Sequence, residues 1–177
     1  MPCGGKMEVY VEPFLPQPEL MLVGQGRIAE LVAELGRLLH FRVTVNSPGA
    51  TREDFPFADQ LITDDTDYQK INPGLNSYVI VLTQHKGDQQ VIQAALRGAP
   101  RYIGLVASAK RSRLVVEYLK EGGMDADALR RVLRAPCGLD LGGRTPEEIA
   151  LSIITEVVKL RHERTGLSMM EVKQCSI

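Results

Sequence analysis

The segment LMLVGQGRIAELVAELGRLLHFRVTVNSPG, residues 20–49, constrains the fold more than any other part of the chain. LMLVG is a continuous apolar run of the kind found in a parallel strand buried on both faces, and it leads directly into Gly24 and Gly26. From there Ile28, Leu31, Val32, Leu35, Leu38 and Leu39 fall at helical spacing, while Glu30, Glu34 and Arg37 take the wet side. FRVTV, residues 41–45, returns to the β-branched chemistry of a strand. Strand, helix and strand in this order form a βαβ unit of about 30 residues, so the two strands run parallel.

The rest of the chain repeats the scheme. QLIT, residues 60–63, is a brief strand candidate, and YVIVLT, residues 78–83, is a second fully apolar one. DQQVIQAALRG then has a helical pattern with Asp88 as its expected N-cap. RYIGLVAS, residues 101–108, is a further strand, with Ser108 capping a helix through Leu119 that stops at Gly122 and Gly123. Thr145, Pro146, Glu147 and Glu148 form a capping box with proline at the first helical position, opening the helix IALSIITEVVKLRHE. At the front, MEVYVEPF, residues 7–14, alternates like an edge strand, and Pro13, Pro16 and Pro18 keep the next residues extended.

Strands alternating with helices predict a Rossmann-like α/β fold, a doubly wound and mainly parallel sheet with helices on both faces. The expected divisions are an extended lead-in over residues 1–18, one nucleotide-binding domain over 19–164, and a mobile tail without periodicity over 165–177. A length of 177 residues suits a single domain. With 21 basic against 22 acidic residues and a net charge of −1, bulk charge does not favour nucleic acid, so any anion site must be local. Cys3, Cys137 and Cys175 are odd in number and form no CxxC pair, as in a reduced cytosolic chain. The N-terminus has neither the basic nor the apolar region of a signal peptide, and no run approaches the ~18 apolar residues of a membrane span. A cytoplasmic protein without membrane contact is expected.

Gly24-Gln25-Gly26-Arg27-Ile28-Ala29 matches GxGxxA. In that pattern the first glycine permits a tight turn, the second lets pyrophosphate approach the backbone, and the small third residue lets helix and strand pack closely. Phosphate would sit on free amides at the helix N-terminus. A tight strand-to-helix turn without a ligand would need the same residues. Asn46 stands where an Asp or Glu would meet the ribose hydroxyls of NAD; an amide can make that bond without charge, so NAD, NADP and other nucleotides all stay open, with Arg52 as a weak phosphate candidate. An ordinary Asn-Ser-Pro turn fits as well.

Ligands of open parallel sheets bind beyond the carboxyl ends of the strands. Those ends here are Gly24 to Arg27, Asn46 to Ser47, Thr83 to His85, and Ala107 to Lys110. His85 could meet a ligand or transfer a proton, or be a solvated loop residue. No further ligand stands beside it at metal spacing. Lys110, Arg111 and Arg113 crowd a first helical turn where the macrodipole disfavours cations, which suggests an anionic partner, or else an exposed turn that bears a cost of only tenths of a kcal/mol. Cys137 reads as a small buried hydrophobe, because a nucleophile would need a histidine that the sequence does not place beside it. The candidate cofactor-binding set is therefore Gly24, Gln25, Gly26, Arg27, Asn46, Ser47, Thr83, His85, Ser108, Lys110 and Arg111, with no catalytic or metal residue assigned.

RYIGLVASAKRSRLVVEYLKEGG followed by APCGLDLGGRTPEEIALSIITEVVKLR, together with VYVEPFLPQPELMLVGQGRIAELVAELGRLLHFRVTVNSPG, resembles the C-terminal Rossmann domain of the XdhC/CoxI family over roughly residues 9–161. Members are accessory factors of xanthine dehydrogenase and related molybdenum hydroxylases such as aerobic carbon monoxide dehydrogenase. The resemblance implies a maturation protein that binds or protects the molybdenum cofactor, a molybdopterin, assists its sulfuration and delivers it to the apo-hydroxylase. It places the family's glycine loop at Gly24, Gly26 and Ala29, its histidine at His85, and its Ser/basic segment at Ser108, Lys110 and Arg111. Longer members carry an N-terminal domain that is missing here, which implies action with a separate subunit of that type, as a homo-oligomer, or in a reduced role. The expected function is accordingly a non-catalytic accessory factor for a molybdenum hydroxylase, binding NAD(P) or the molybdenum cofactor. A small NAD(P)-dependent oxidoreductase and a nucleotide-sensing regulatory module are the alternatives; the first is weakened by the lack of a clear Tyr-x-x-x-Lys pair and of a second domain for substrate.

Overall fold

A computed structural model describes residues 7–10, 16–84 and 87–173. Its strands are β1 (Glu19–Gly24), β2 (Arg42–Asn46), β3 (Gln60–Ile62), β4 (Ser77–Leu82), β5 (Tyr102–Leu105) and β6 (Leu133–Arg134). Its helices are α1 (Arg27–Leu38), α2 (Asp88–Arg97), α3 (Ala109–Glu121), α4 (Ala126–Val132), α5 (Pro146–Arg161) and α6 (Met169–Lys173). The strands form one sheet in the order β3-β2-β1-β4-β5-β6, and every pairing is parallel. This is the expected Rossmann-like arrangement, with the order reversing between β1 and β4.

Alternation along the strands divides the core between the two faces. Leu20 and Leu22 of β1, Val43 and Val45 of β2, and Tyr78 and Ile80 of β4 pack with residues of α1 and α5. Met21, Val23, Val79 and Val81 point the other way, into a second core with α2, α3 and α4. Both faces of the central strands are dry, which explains why LMLVG and YVIVL lack polar residues.

The close contact of α1 with the sheet falls on small residues. Ala29, Val32, Ala33 and Gly36 are its buried positions, whereas the bulkier Ile28, Leu31, Leu35 and Leu39 flank them and Leu38 is 72% exposed. The predicted stripe is therefore displaced. A methyl group at Gly36 would lie 2.4 Å from Leu20 Cδ2, so the helix axis sits too near β1 for a leucine there.

Other departures have local causes. Asp88 is the first helical residue of α2, not its cap; Gly87, at φ 91°, takes the cap position and Asp88 turns its carboxylate inward. Residues 7–10 are exposed and irregular, residues 11–14 of the expected edge strand lie outside the described residues, and the sheet edges are β3 and β6. Within residues 165–177, where the sequence shows no clear periodicity, the short helix α6 forms. There Ser168 Oγ accepts the Glu171 amide at 3.2 Å and Glu171 accepts the Ser168 amide at 2.9 Å. Among the described residues, no helix is long and apolar enough to cross a membrane.

The capping box of α5 forms as read. Thr145 Oγ1 accepts from the Glu148 amide at 3.2 Å, and Glu148 accepts from the Thr145 amide at 3.1 Å. Removing the cap oxygen with Thr145→Ala is expected to cost about 1 kcal/mol in urea unfolding. An unshifted midpoint would show that this box adds nothing to the fold.

Candidate functional site

The order reversal opens a cleft of about 160 Å³ beyond the carboxyl ends of β1, β2 and β4. Gly24, Gln25, Asn46, Ser47 and Thr83 line it, as do Pro48, Tyr68, Leu82 and Gln84. Its volume is below the roughly 300 Å³ at which cofactor pockets usually begin, so it can enclose part of a dinucleotide and leave the rest on the rim.

The turn that floors the cleft is glycine by necessity. Gly24 sits at φ 128°, and a methyl group on it would lie 2.2 Å from the Leu82 carbonyl oxygen of β4. Gly26, at φ 103°, is the N-cap of α1; the nearest described atom to a methyl group there would be Gln84 Nε2 at 3.4 Å. Among the described residues, no side chain caps α1, whereas Ser108, Asp125 and Thr145 cap α3, α4 and α5. The first amides of α1 therefore remain available as anion donors beside the cleft.

Asn46 ends β2 fully buried. Its Nδ2 donates to Asp65 Oδ2 at 2.5 Å, and the same carboxylate accepts from the amides of Gln69 and Lys70 at 2.8 and 3.0 Å. Asn46 Oδ1 is buried and accepts no hydrogen bond among the described residues. Tyr68, from the loop that follows β3, completes the wall. Burial first, then the nearby Asp88 and Asp65, raise its phenol above the ordinary range, which keeps it a hydroxyl donor.

The basic candidates are placed differently. Arg27 is exposed and lies within 3.3 Å of Glu30 and 3.5 Å of Glu147, so it joins the start of α1 to the start of α5. Arg111 Nε contacts Asp88 Oδ2 at 3.0 Å, and Thr83 donates its hydroxyl to the other oxygen of that carboxylate. The anion that the first turn of α3 calls for is thus supplied internally, by α2. Ser108 spends its hydroxyl oxygen on the cap of α3, and Lys110 is exposed on the same turn; neither lines the cleft. His85 lies outside the described residues. Tyr68 and Gln84 are hard to find from sequence because they stand in loops without periodicity; the signal at Gln84 is its position just past β4.

Cys137 belongs to a separate buried cluster. Tyr102 donates to Glu156 Oε2 at 2.6 Å, the Gly138 amide donates to the same oxygen at 2.8 Å, and Cys137 packs against the α1/α5 core. Burial, reinforced by the Glu156 carboxylate, pushes its thiol up to about 12, and burial likewise raises Tyr102 far above a normal phenol. A thiol held this way is a packing group at neutral pH. Among the described residues, no three His, Cys, Asp or Glu side chains form a metal-ligand cluster.

Two outcomes follow from these placements. Arg111→Ala leaves the 3% exposed Asp88 side chain without its cation and is expected to lower unfolding stability by about 2–3 kcal/mol; an unchanged midpoint would count against the pair as a structural tie. In the folded protein at pH 8, iodoacetamide should label Cys137 on the order of 100-fold more slowly than after unfolding, as read by peptide mass mapping, because almost no thiolate is present. Equal rates would contradict the raised thiol.

Comparison with known proteins agrees with this architecture. Residues 20–157 match the XdhC Rossmann domain. A Bacillus subtilis (strain 168) protein described as a probable xanthine dehydrogenase subunit is 30% identical over 163 residues, covering 86% of this chain and 46% of that protein. The Escherichia coli (strain K12) protein YqeB, described as uncharacterized, is 27% identical over 177 residues, covering 96% of this chain and 32% of its own length. The crystal structure of a xanthine dehydrogenase from Bacillus halodurans superposes with a TM-score of 0.72 at 26% identity, over 89% of this chain and 46% of that one. The chain thus spans less than half the length of these relatives. The match extends from β1 into α5, and the chain belongs to the XdhC Rossmann-domain family.

Proposed function

We propose that this protein is an accessory factor of a molybdenum hydroxylase and that its cleft holds a phosphate-bearing cofactor, a dinucleotide or the molybdenum cofactor. One observation carries the reading: in a domain of the XdhC family, an uncapped glycine turn opens onto a cleft at the point of strand-order reversal. The relatives named for xanthine dehydrogenase supply the hydroxylase association.

The residues fit such a group by their donor chemistry. The backbone at Gly24, Gln25 and Gly26 and the first amides of α1 would take phosphate, as free helix N-termini do. Asn46 and Ser47 line the opposite wall, at the position that meets a ribose in this fold. Arg27 and Arg111 are tied to acids of the chain itself, so phosphate recognition rests on backbone amides. When bound, the molybdenum cofactor would be cargo, and its redox chemistry would belong to the client hydroxylase. The apo-hydroxylase is the expected partner, together with a second copy of this chain.

A host lacking this gene tests the reading. Hydroxylase protein should accumulate normally, while its activity and its content of bound, sulfurated cofactor fall several-fold and recover on complementation. Unchanged activity and cofactor content would reject the accessory role. Turnover of NADH or NADPH by the purified protein would instead favour an oxidoreductase.

A further inference from the structure

We infer that Asn46, held in one orientation by Asp65, makes the cleft selective for an unphosphorylated ribose, and hence for NAD(H)-type over NADP(H)-type nucleotides. The inference rests on the reading of the cleft as a nucleotide site and assigns its specificity. An amide side chain can present either end to a ligand, but here the choice is fixed. The Asp65 carboxylate, 1% exposed, only accepts, so the Asn46 NH₂ group must face it, as the 2.5 Å contact shows. Two backbone amides occupy the rest of that carboxylate and anchor it in the loop after β3. Asn46 Oδ1 is left as an acceptor on a residue that lines the cleft, buried and without a donor among the described residues. A ribose hydroxyl is a donor of the right kind, and satisfying a buried orphan acceptor is favourable.

The loops that carry Ser47, Pro48 and Tyr68 to the cleft are net acidic. The stretches that leave the carboxyl ends of β2 and β3, residues 47–54 and 63–70, hold five acids, Glu53, Asp54, Asp64, Asp65 and Asp67. The cations there are Arg52 and Lys70, and Lys70 is already paired with Asp64 at 2.6 Å. The Gly49 amide bonds the Thr63 carbonyl at 3.2 Å, so the two stretches form one continuous wall. A 2′-phosphate, carrying up to two negative charges and no donor, would meet an acceptor backed by a buried carboxylate. The sequence position of Asn46 alone leaves both cofactors open; the Asp65 contact, which turns Asn46 Oδ1 into a fixed acceptor, decides between them. Asp65 acts through Asn46 and is a positioning residue.

Isothermal titration calorimetry with NADH and NADPH, which differ by the 2′-phosphate, tests this on the full chain. The wild type should bind NADH at least tenfold more tightly than NADPH. Asn46→Ala should weaken NADH severalfold while scarcely changing NADPH, bringing the ratio close to one. Asp65→Asn, which frees the Asn46 amide to turn and removes the charge, should lower the ratio by improving NADPH; a purely structural role would weaken both ligands equally. Circular dichroism melts establish that each variant is folded, and if Asp65→Asn is not, the wild-type ratio and Asn46→Ala decide the matter. Equal affinities for the two ligands, or an Asn46→Ala variant that keeps the wild-type ratio, would overturn the inference and leave the nucleotide site standing. Failure of the wild type to bind either ligand at millimolar concentration would overturn the nucleotide reading, and this inference with it.

Discussion

The fold depends on how closely β1, α1 and β4 approach one another around the glycine turn. At Gly24 the backbone of β1 passes so near the Leu82 carbonyl that no side chain fits, and at Gly36 the helix rests directly on Leu20. Ala29, fully buried in the first turn of α1, keeps the same separation. These contacts fix the height of the helix above the sheet and hence the direction of its first amides. Small residues set the geometry, and the larger apolar residues beside them contribute most of the buried area.

What the sequence reveals follows from which forces act locally. β1, β4 and β5 are legible because burial on both faces demands apolar runs, β2 because of its β-branched residues, and α5 because its capping box is written in four adjacent residues. The facing side of α1 is less legible, since periodicity weights bulk and the contact is made by Ala29, Ala33 and Gly36. α4 and the two-residue β6 are too short to carry a periodic signal, although Asp125 caps α4 through the amides of Asp127 and Ala128. α6 is equally short, and its one local mark is Ser168 and Glu171 standing at capping-box spacing.

The candidate site divides along the same line. The rule that ligands gather beyond strand ends leads to Gly24, Gln25, Asn46, Ser47 and Thr83, all of which line the cleft. It does not reveal where long side chains find their partners. Arg27 meets Glu147 across the start of α5, Arg111 meets Asp88, and Asn46 meets Asp65, pairs whose members are far apart in sequence and adjacent only after folding. Two strong cations near an anion-ready turn are thereby tied to the chain's own acids. What faces the cleft is instead the fixed dipoles of the glycine turn and the uncapped start of α1, which act at short range.

The all-parallel sheet also bears on how the chain is made. Glu19 pairs with Arg42 on one side and with Ser77 on the other, so the central strand acquires its first neighbour early and its second only after the intervening loops and β3 exist. Pairings of such long sequence separation form slowly, because the loop must close before the contact compensates for it. During synthesis from the N-terminus, β1 therefore has an open, apolar edge until β4 emerges from the ribosome, and the cleft, which needs Leu82, Thr83 and Gln84, cannot exist before then. The cleft wall and the hydrophobic seal of the central strand are completed by the same segment, so in a nascent chain the cleft and protection from aggregation arrive together.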